Sequence, residues 1–271
     1  MNKSARRTYM KHIFTLCISI VLLSGCSMSD DEQLFEKPAE QNKILVAADS
    51  SLTDVLPELI SRFEELQPTI SVDIIFASSG QLAGNIQQGA PVDLFLSANK
   101  EWNDTLEKEG LLVKKSQESF AHNRLVLISH PTNKLQLSNL KDIQQKSFEK
   151  LVLGDPVNVT AGDYAEKAFQ SNEINLWDKI KNKTIYVKDI ADIINHVNEH
   201  KQALGVVYAS DAYENEQVNI VYEIDKTLHP PIIYQTGITS YSTNHHDAKV
   251  LTDFLSSKQA AKTLEEYGFV E

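Results

Sequence analysis

The sequence predicts an α/β fold built from parallel strands and flanking helices. Two observations predict it. Short apolar runs rich in β-branched residues alternate with helical patterns along almost the whole chain, which is typical of strands joined by crossover helices. In addition, four of these runs end in a short turn of small or polar residues that starts the next helix.

The apolar runs and the helical periodicity define the predicted elements in chain order. The predicted strands cover residues 44–47, 72–77, 93–97, 125–129, 151–154, 184–187, 204–208, 220–222 and 232–238. The clearest predicted helices cover residues 52–66, 81–88, 101–109, 161–169, 191–199 and 247–267, the last with a break near Ser256 and Ser257. Pro57 falls inside the first predicted helix, where its missing N–H and its ring predict a kink.

Residues 1–25 have the pattern of a secretory signal peptide, because a basic start precedes the uncharged apolar run 13–23. A run of eleven residues suits a signal-peptide core and is too short for a transmembrane helix. The run ends in Leu23-Ser24-Gly25-Cys26, which resembles the bacterial lipobox and implies cleavage before Cys26 and acylation of its thiol. The alternative is an ordinary signal peptide with a coincidental cysteine. Residues 26–42 are polar and acidic and are predicted to form a flexible tether.

The charge and cysteine content limit the function further. After removal of residues 1–25 the chain has 22 basic and 37 acidic residues, a formal net charge of −15. This balance argues against nucleic acid as a partner. Cys17 would leave with the signal peptide, so the one remaining thiol, that of Cys26, permits no internal disulfide and no cysteine metal cluster.

The turns that follow strands 44–47, 72–77, 151–154 and 184–187 predict an anion site. The carboxyl ends of parallel strands share one sheet edge, and ligands bind there at helix N-termini. These termini carry unpaired N–H groups and a partial positive charge, so several together can hold an anion without a cation. Ser51, Ser79 and Thr160, taken singly, could each be a simple helix cap. Four such turns in one chain favour the anion site, although their spacing does not name the anion.

A series of motifs then narrows the ligand. They are Ser51-Leu52-Thr53-Asp54, Ala77-Ser78-Ser79-Gly80-Gln81-Leu82-Ala83, Gly89-Ala90-Pro91-Val92-Asp93-Leu94-Phe95-Leu96-Ser97-Ala98, Gly154-Asp155-Pro156, Ala161-Gly162-Asp163-Tyr164-Ala165, Leu176-Trp177-Asp178, Gly205-Val206-Val207-Tyr208 and Tyr267-Gly268-Phe269. In this order and spacing, from about residue 43 to 269, the chain resembles the molybdate-binding proteins of bacterial ABC importers. The resemblance implies a two-lobed fold of the type II periplasmic-binding-protein kind, with a hinge and the ligand in the cleft. Each lobe would be a sheet flanked by helices, with residues 43–121 plus 234–271 in lobe 1 and residues 122–233 in lobe 2.

The resemblance also implies the ligand-binding residues. Ser51 and Ser79 would each offer a hydroxyl and a backbone N–H, Ala161 and Ile190 a backbone N–H, and Tyr208 its phenol. Molybdenum would be bound only as the oxyanion, and these neutral donors suit a fully ionised dianion. The chain departs from the family pattern at Thr160, Ala191 and Gln235, where the family often has proline, arginine and proline.

The function implied is capture of molybdate, and also tungstate, outside the cytoplasm and delivery to the permease subunits of an ABC importer. The protein would be a monomer without a cofactor, held by the lipid on Cys26 at the outer face of the cell membrane, or at the periplasmic face in a host with two membranes. The alternatives are the same fold binding sulfate, thiosulfate or another tetrahedral oxyanion, an accessory lipoprotein without a ligand, and a lipid-anchored hydrolase.

The residues argue against an enzyme. The chain contains no Gly-x-Ser-x-Gly, His-Glu-x-x-His or P-loop spacing. His245 and His246 are predicted to lie in an exposed loop, not at a metal. Asp49 and Asp155 follow two of the strands and are expected to cap or bond their own loops instead of acting as an acid and a base.

Overall fold

The computed structural model describes residues 42–213 and 215–270, which form two five-stranded sheets. The strands of the first sheet are β1 Asn42–Asp49, β2 Ile70–Ala77, β3 Leu94–Ser97, β4 Ser119–Asn123 and β10 Ile232–Ile238. Their order is β2-β1-β3-β10-β4. β1 is parallel to β2 and β3, whereas β10 is antiparallel to β3 and β4.

The second sheet repeats this arrangement. Its strands are β5 Leu125–Ser129, β6 Leu151–Gly154, β7 Thr184–Val187, β8 Leu204–Tyr208 and β9 Asn219–Glu223, in the order β7-β6-β8-β5-β9. β6 is parallel to β7 and β8, and β5 is antiparallel to β8 and β9. The prediction of parallel strands is therefore right for half of each sheet and wrong for the rest. No helix lies between β4 and β5 or between β9 and β10. The alternation of strands and helices that indicates parallel strands is therefore missing at these two places.

Helices connect most of the strands. In the described residues the α-helices are α1 Leu56–Leu66, α2 Ser79–Gln87, α3 Lys100–Lys108, α4 Thr160–Gln170, α5 Trp177–Ile180, α6 Ile190–Glu199, α7 Ala209–Ala212, α8 His245–Leu255 and α9 Lys258–Glu266. Short 3₁₀ helices cover Ser50–Leu52, Leu140–Gln145 and Lys181–Lys183. The predicted break near Ser256 and Ser257 is confirmed, because the Ser257 hydroxyl caps α9 by accepting the Ala260 N–H.

Three local predictions are wrong. α1 begins at Leu56, so Pro57 lies in its first turn, where a missing N–H costs nothing and no kink is needed. β4 was not predicted, because its sequence Ser-Phe-Ala-His-Asn contains no β-branched residue. His245 and His246 are exposed as expected, but they begin helix α8 instead of lying in a loop.

Apolar side chains on both faces of each sheet form the core. In β1, Ile44 and Val46 pack in the same cluster as Leu59 of α1, while Ala47 packs with residues of α2 and α3 on the opposite face. In β5, Ile128 belongs to the cluster that α6 contributes to. Helices lie on both sides of each sheet because both faces of the sheet carry apolar side chains that they cover.

The chain crosses between the sheets twice, at Arg124 and within residues 224–231. Beside the first crossing, the Asn123 side-chain amide donates to the hydroxyls of Ser210, at 2.9 Å, and Tyr234, at 3.3 Å. No helix in the described ranges is long and apolar enough to cross a bilayer. The predicted signal peptide, Cys26 and the tether as far as residue 41 lie outside the described residues, and Asn42 is the first residue of β1.

Candidate functional site

A cleft of about 1110 Å³ lies where strands of the two sheets end. Asp49, Ala77, Val187 and Tyr208 line it, and they are the last residues of β1, β2, β7 and β8. Residues of both sheets therefore form its walls. This is the place where the turns after the strands predicted a ligand.

Two helix N-termini point their first turns at this cleft from the second sheet. Ala161 is the second residue of α4 and Ile190 is the first residue of α6, and both line the cleft. Neither backbone N–H donates to a backbone acceptor in the described part of the chain. The Asp189 carboxylate caps α6 by accepting the Asp192 N–H at 2.9 Å. These termini thus offer two unpaired donors to a ligand.

A glycine pair brings α4 to the cleft. A Cβ atom built on Gly162 would lie 1.9 Å from the carbonyl oxygen of Gly154, the last residue of β6. Only glycine permits this contact between helix and strand. The two glycines belong to motifs singled out in the sequence, and they fix the position of the neighbouring Ala161 N–H.

The Tyr208 hydroxyl is a third donor without a partner. Tyr208 is 2% exposed, lines the cleft, and makes no hydrogen bond through its hydroxyl within the described residues. Its ring packs edge-on against Tyr234 with the ring centroids 6.4 Å apart. Burial raises the pKa of this phenol well above its usual value, so it keeps its proton and can donate at neutral pH.

Ser51 and Ser79 are brought together by the carboxylate of Asp49. Asp49 Oδ1 accepts from the Ser51 N–H at 3.1 Å and from its hydroxyl at 2.6 Å. Asp49 Oδ2 accepts from the Ser79 N–H at 3.0 Å and from its hydroxyl at 2.5 Å. Asp49 lines the cleft, whereas the two serines do not. All four donors that the two serines were predicted to offer a ligand are therefore directed at one carboxylate.

Two further hydrogen bonds orient the serine hydroxyls. Because the Ser51 hydroxyl donates to Asp49, the Tyr234 hydroxyl 2.7 Å away is the donor to Ser51. The Ala98 N–H donates to Ser79 Oγ at 3.1 Å. Ser51, Ser79 and Thr160 are not helix caps, since Asp49, Ser78 and Val159 hold the cap positions of their helices. The simple-cap explanation of these three residues is thus excluded.

The cleft is acidic. Among the described residues that line it, Lys188 is the one cation, and the aspartates are Asp49, Asp54, Asp155, Asp189 and Asp211. Burial raises the pKa of Asp211 to about 8, and the nearby Asp49 and Asp54 add to the effect, so Asp211 is mostly neutral at pH 7. One Asp211 oxygen accepts the Tyr208 N–H at 3.0 Å.

Sequence reasoning found part of this network. It predicted that Asp49 and Asp155 bond their own loops, and both do: Asp49 bonds Ser51, and Asp155 accepts the Val157 N–H at 3.0 Å. It missed that Asp49 also reaches Ser79, because 30 residues and a different strand separate them. It also missed the support from Tyr234. No sequence spacing signals such contacts.

The titratable side chains of the described residues were predicted to hold no metal, and two observations bear on this. In residues 42–213 and 215–270, no group of three or more His, Cys, Asp and Glu side chains has the geometry to hold a metal ion. The rings of His196 and His200 lie 4.3 Å apart on α6 and its end, away from the residues that line the cleft.

Two mixed sheets with a cleft of about 1110 Å³ between their strand ends define a two-lobed solute-binding fold. The chain belongs to the bacterial extracellular solute-binding proteins, whose family profile matches residues 44–270. It is therefore a binding protein of the kind that acts outside the cytoplasm.

Individual relatives agree with this assignment. The chain is 33% identical to the molybdate-binding protein ModA of Haemophilus influenzae, over 85% of this chain and 91% of the relative. It is 32% identical to a Bacillus subtilis protein provisionally named ABC transporter substrate-binding lipoprotein YvgL, over 93% and 94% of the two chains. A solved substrate-binding domain, provisionally assigned to a molybdenum ABC transporter of Clostridium difficile, superposes with a TM-score of 0.72 at 29% identity, over 85% and 99% of the two chains.

Proposed function

We propose that this chain captures molybdate, and also tungstate, outside the cytoplasm and delivers it to the permease subunits of an ABC importer. The observation that carries the proposal is the buried hydroxyl of Tyr208, which has no hydrogen-bond partner within the described residues and belongs to a residue that lines the same cleft as Ala161 and Ile190, whose backbone N–H groups are unpaired. Three neutral donors around one space are suited to an acceptor-only anion. Relatives named as molybdate-binding proteins support this choice of anion.

Formal charge does not attract the anion in this proposal. The cleft is lined by five aspartates and one lysine, so attraction must come from the oriented dipoles of the N-termini of α4 and α6. Asp189 is bound to its own helix, and Asp211 is mostly neutral because burial raises its pKa to about 8. A dianion that accepts hydrogen bonds on all its oxygens gains most from such donors.

Ligand capture would close the cleft. A tetrahedral oxyanion has roughly the volume of a few water molecules of about 30 Å³ each, far less than the cleft volume of about 1110 Å³. We assign residues 43–121 plus 234–271 to lobe 1 and residues 122–233 to lobe 2, with Ser51 and Ser79 in the first and Ala161, Ile190 and Tyr208 in the second. A ligand that engages donors of both lobes favours the closed form.

The protein would act at a membrane surface as a monomer. We propose removal of residues 1–25, acylation of Cys26 and a tether over residues 26–42, which holds the binding domain near its permease on the outer side of the membrane. The ligand is transported unchanged, so the proposal involves neither catalysis nor a cofactor.

Calorimetric titration of the fragment that begins at Ser27 tests the proposal. Molybdate and tungstate are expected to bind, and sulfate much more weakly, because its shorter bonds fit donors spaced for a larger tetrahedron poorly. A ligand at one hundred times its Kd should also stabilise the folded state by about 2.7 kcal/mol. Equal affinity for sulfate would favour the general-oxyanion alternative, and absence of binding at millimolar molybdate would refute the proposal.

A further inference from the structure

The Asp49 carboxylate occupies the donors that the proposed ligand needs in lobe 1. Its two oxygens accept from the N–H and the hydroxyl of Ser51 and of Ser79, at distances from 2.5 to 3.1 Å. Asp49 is 5% exposed and Ser79 is fully buried. The serine half of the site is therefore closed by an anionic group of the protein itself.

We propose that Asp49 is a specificity-determining residue that competes with the oxyanion: its carboxylate must leave Ser51 and Ser79 before a ligand can bind them. The inference rests on the proposed function and adds to it a built-in competitor that lowers the affinity of the site.

The Asp49 carboxylate and an oxyanion cannot both accept from the donors of Ser51 and Ser79 at the same time. An ionised carboxylate and a molybdate dianion are both acceptors only, so neither can donate to the other. Each serine has one backbone N–H and one hydroxyl proton, and Asp49 uses all four. Both serines also receive a hydrogen bond, from Tyr234 and from the Ala98 N–H, and these bonds direct the hydroxyl protons toward Asp49. A ligand can thus reach these protons only in place of the carboxylate.

Asp49 has space for this exchange. It lines the cleft at the end of β1, so a rotation of its side chain carries the carboxylate into the cleft without moving the strand. The charged or titratable groups that line the cleft with it, among the described residues, are Asp54, Asp155, Tyr186, Lys188, Asp189, Tyr208 and Asp211. Four of these seven are aspartates, so the displaced carboxylate meets mainly acidic neighbours and returns to the serines when the ligand leaves.

The exchange has a measurable consequence for affinity. When the binding-competent arrangement is only a fraction of the population, the apparent Kd equals the intrinsic Kd divided by that fraction. The competitor also favours ligands that can replace a whole carboxylate, with two oxygens accepting from both serines at once. A ligand with one acceptor oxygen on this side cannot displace it.

The test compares Asp49→Ala with Asp155→Ala by calorimetric titration of molybdate, tungstate and sulfate at one pH and ionic strength. Both substitutions remove one carboxylate from the wall of the same cleft, but within the described residues the Asp155 carboxylate bonds only its own loop, at the Val157 N–H and the Asn158 side-chain amide. We expect Asp49→Ala to bind molybdate at least about tenfold more tightly than the parent. Asp155→Ala should change the Kd by less than about threefold, since it relieves only general repulsion across solvent.

The direction of the change separates the two roles that Asp49 could have. If Asp49 served to position the serines, its removal would weaken binding, and a parent that binds molybdate more tightly than Asp49→Ala, or equally tightly, overturns the inference. Asp49→Asn is the second variant, because it removes the charge, retains the side-chain shape and keeps one acceptor for Ser51 should Asp49→Ala fail to fold. If the parent and all variants fail to bind any of the three oxyanions while remaining folded, the proposed function itself fails.

Discussion

Gly162 lies so close to Gly154 that a Cβ atom on Gly162 would be 1.9 Å from the Gly154 carbonyl oxygen. The contact joins the start of α4 to the end of β6. It is a backbone contact, so no side-chain rotation can relieve a larger residue there. The position of the Ala161 N–H at the cleft therefore depends on a glycine that never touches the ligand.

We expect Gly162→Ala to lower the free energy of unfolding by about 1–3 kcal/mol, the usual cost of overpacking, and to weaken molybdate binding by moving Ala161. Gly84→Ala is the matched control, because Gly84 lies within α2 and a Cβ there meets nothing within 4 Å. It should stabilise the protein by roughly 0.5–1 kcal/mol, as alanine does in helices. Denaturant unfolding measures both, and equal effects of the two substitutions would contradict the packing argument.

Tyr208→Phe should separate ligand binding from stability. The lost hydroxyl has no partner within the described residues, so the free protein should keep its stability or gain up to about 1 kcal/mol. Molybdate affinity should fall by about 1.5–3 kcal/mol, the value of a hydrogen bond to a charged group. Thermal melts and titrations of the same preparation provide the two measurements.

Tyr234→Phe is the control for this substitution. The Tyr234 hydroxyl contacts the Ser51 hydroxyl and the Asn123 amide, so its loss should destabilise the free protein by about 1 kcal/mol or more. A destabilised Tyr208→Phe protein with normal affinity would show that Tyr208 has a structural role and is not a ligand.

The sequence predicted those parts of the fold and cleft that rest on local patterns. The helix starts at Ala161 and Ile190 follow from a strand, a short polar turn and a helical period, and all of these are visible over a few residues. Tyr208 came from family resemblance, and its position at the cleft needed the structure. The contact between Asp49 and Ser79 joins the end of β1 to the first residue of α2, which follows the parallel neighbour β2. Which strands become neighbours depends on tertiary packing that no local pattern encodes. The roles of the five predicted ligand residues remain predictions.

Asp211 gives the folded protein a pH-dependent stability. Its folded-state pKa of about 8 is raised above the ordinary value of 3.8, chiefly by burial. The folded state therefore holds this proton more tightly than the unfolded chain does. The stabilisation of the folded state by protonated Asp211 is fully present below about pH 4 and is lost as the pH rises through about 8. Asp211→Asn retains an acceptor for the Tyr208 N–H and should be more stable than the parent at pH 8, by at least about 1 kcal/mol, but not at pH 4.

Asp225→Asn is the control with the opposite sign. The Thr227 N–H and hydroxyl both donate to Asp225 and hold its pKa below the usual value. The stabilisation of the folded state by ionised Asp225 is therefore present above the ordinary pKa of the carboxyl group. It is lost as the pH falls through the lowered pKa of the folded state. Denaturant unfolding from pH 4 to 8 covers the change at Asp211, and its extension to pH values well below the ordinary pKa of 3.8 covers the change at Asp225. Parallel stability curves for the parent and Asp211→Asn would rule out the raised pKa.

Ile190 allows the backbone donor to be removed without removing the helix. Ile190 is the first residue of α6, a position where proline is well tolerated because the N–H has no partner within the helix. The preceding Asp189 has φ −152° and ψ 174°, an extended conformation that suits a residue before proline. Ile190→Pro should therefore fold and lack only the proposed donor.

We expect Ile190→Pro to weaken molybdate binding at least about tenfold, equal to about 1.4 kcal/mol and less than most charge-assisted hydrogen bonds contribute. Ile190→Val keeps the N–H and should bind normally, at a stability cost of about 0.5–1.5 kcal/mol. Circular-dichroism melts of both proteins must first show cooperative unfolding, because an unfolded variant cannot report on the donor. If folded Ile190→Pro binds molybdate as tightly as the parent, the Ile190 N–H is not a ligand, and the anion must be held in lobe 2 by Ala161 and Tyr208 alone.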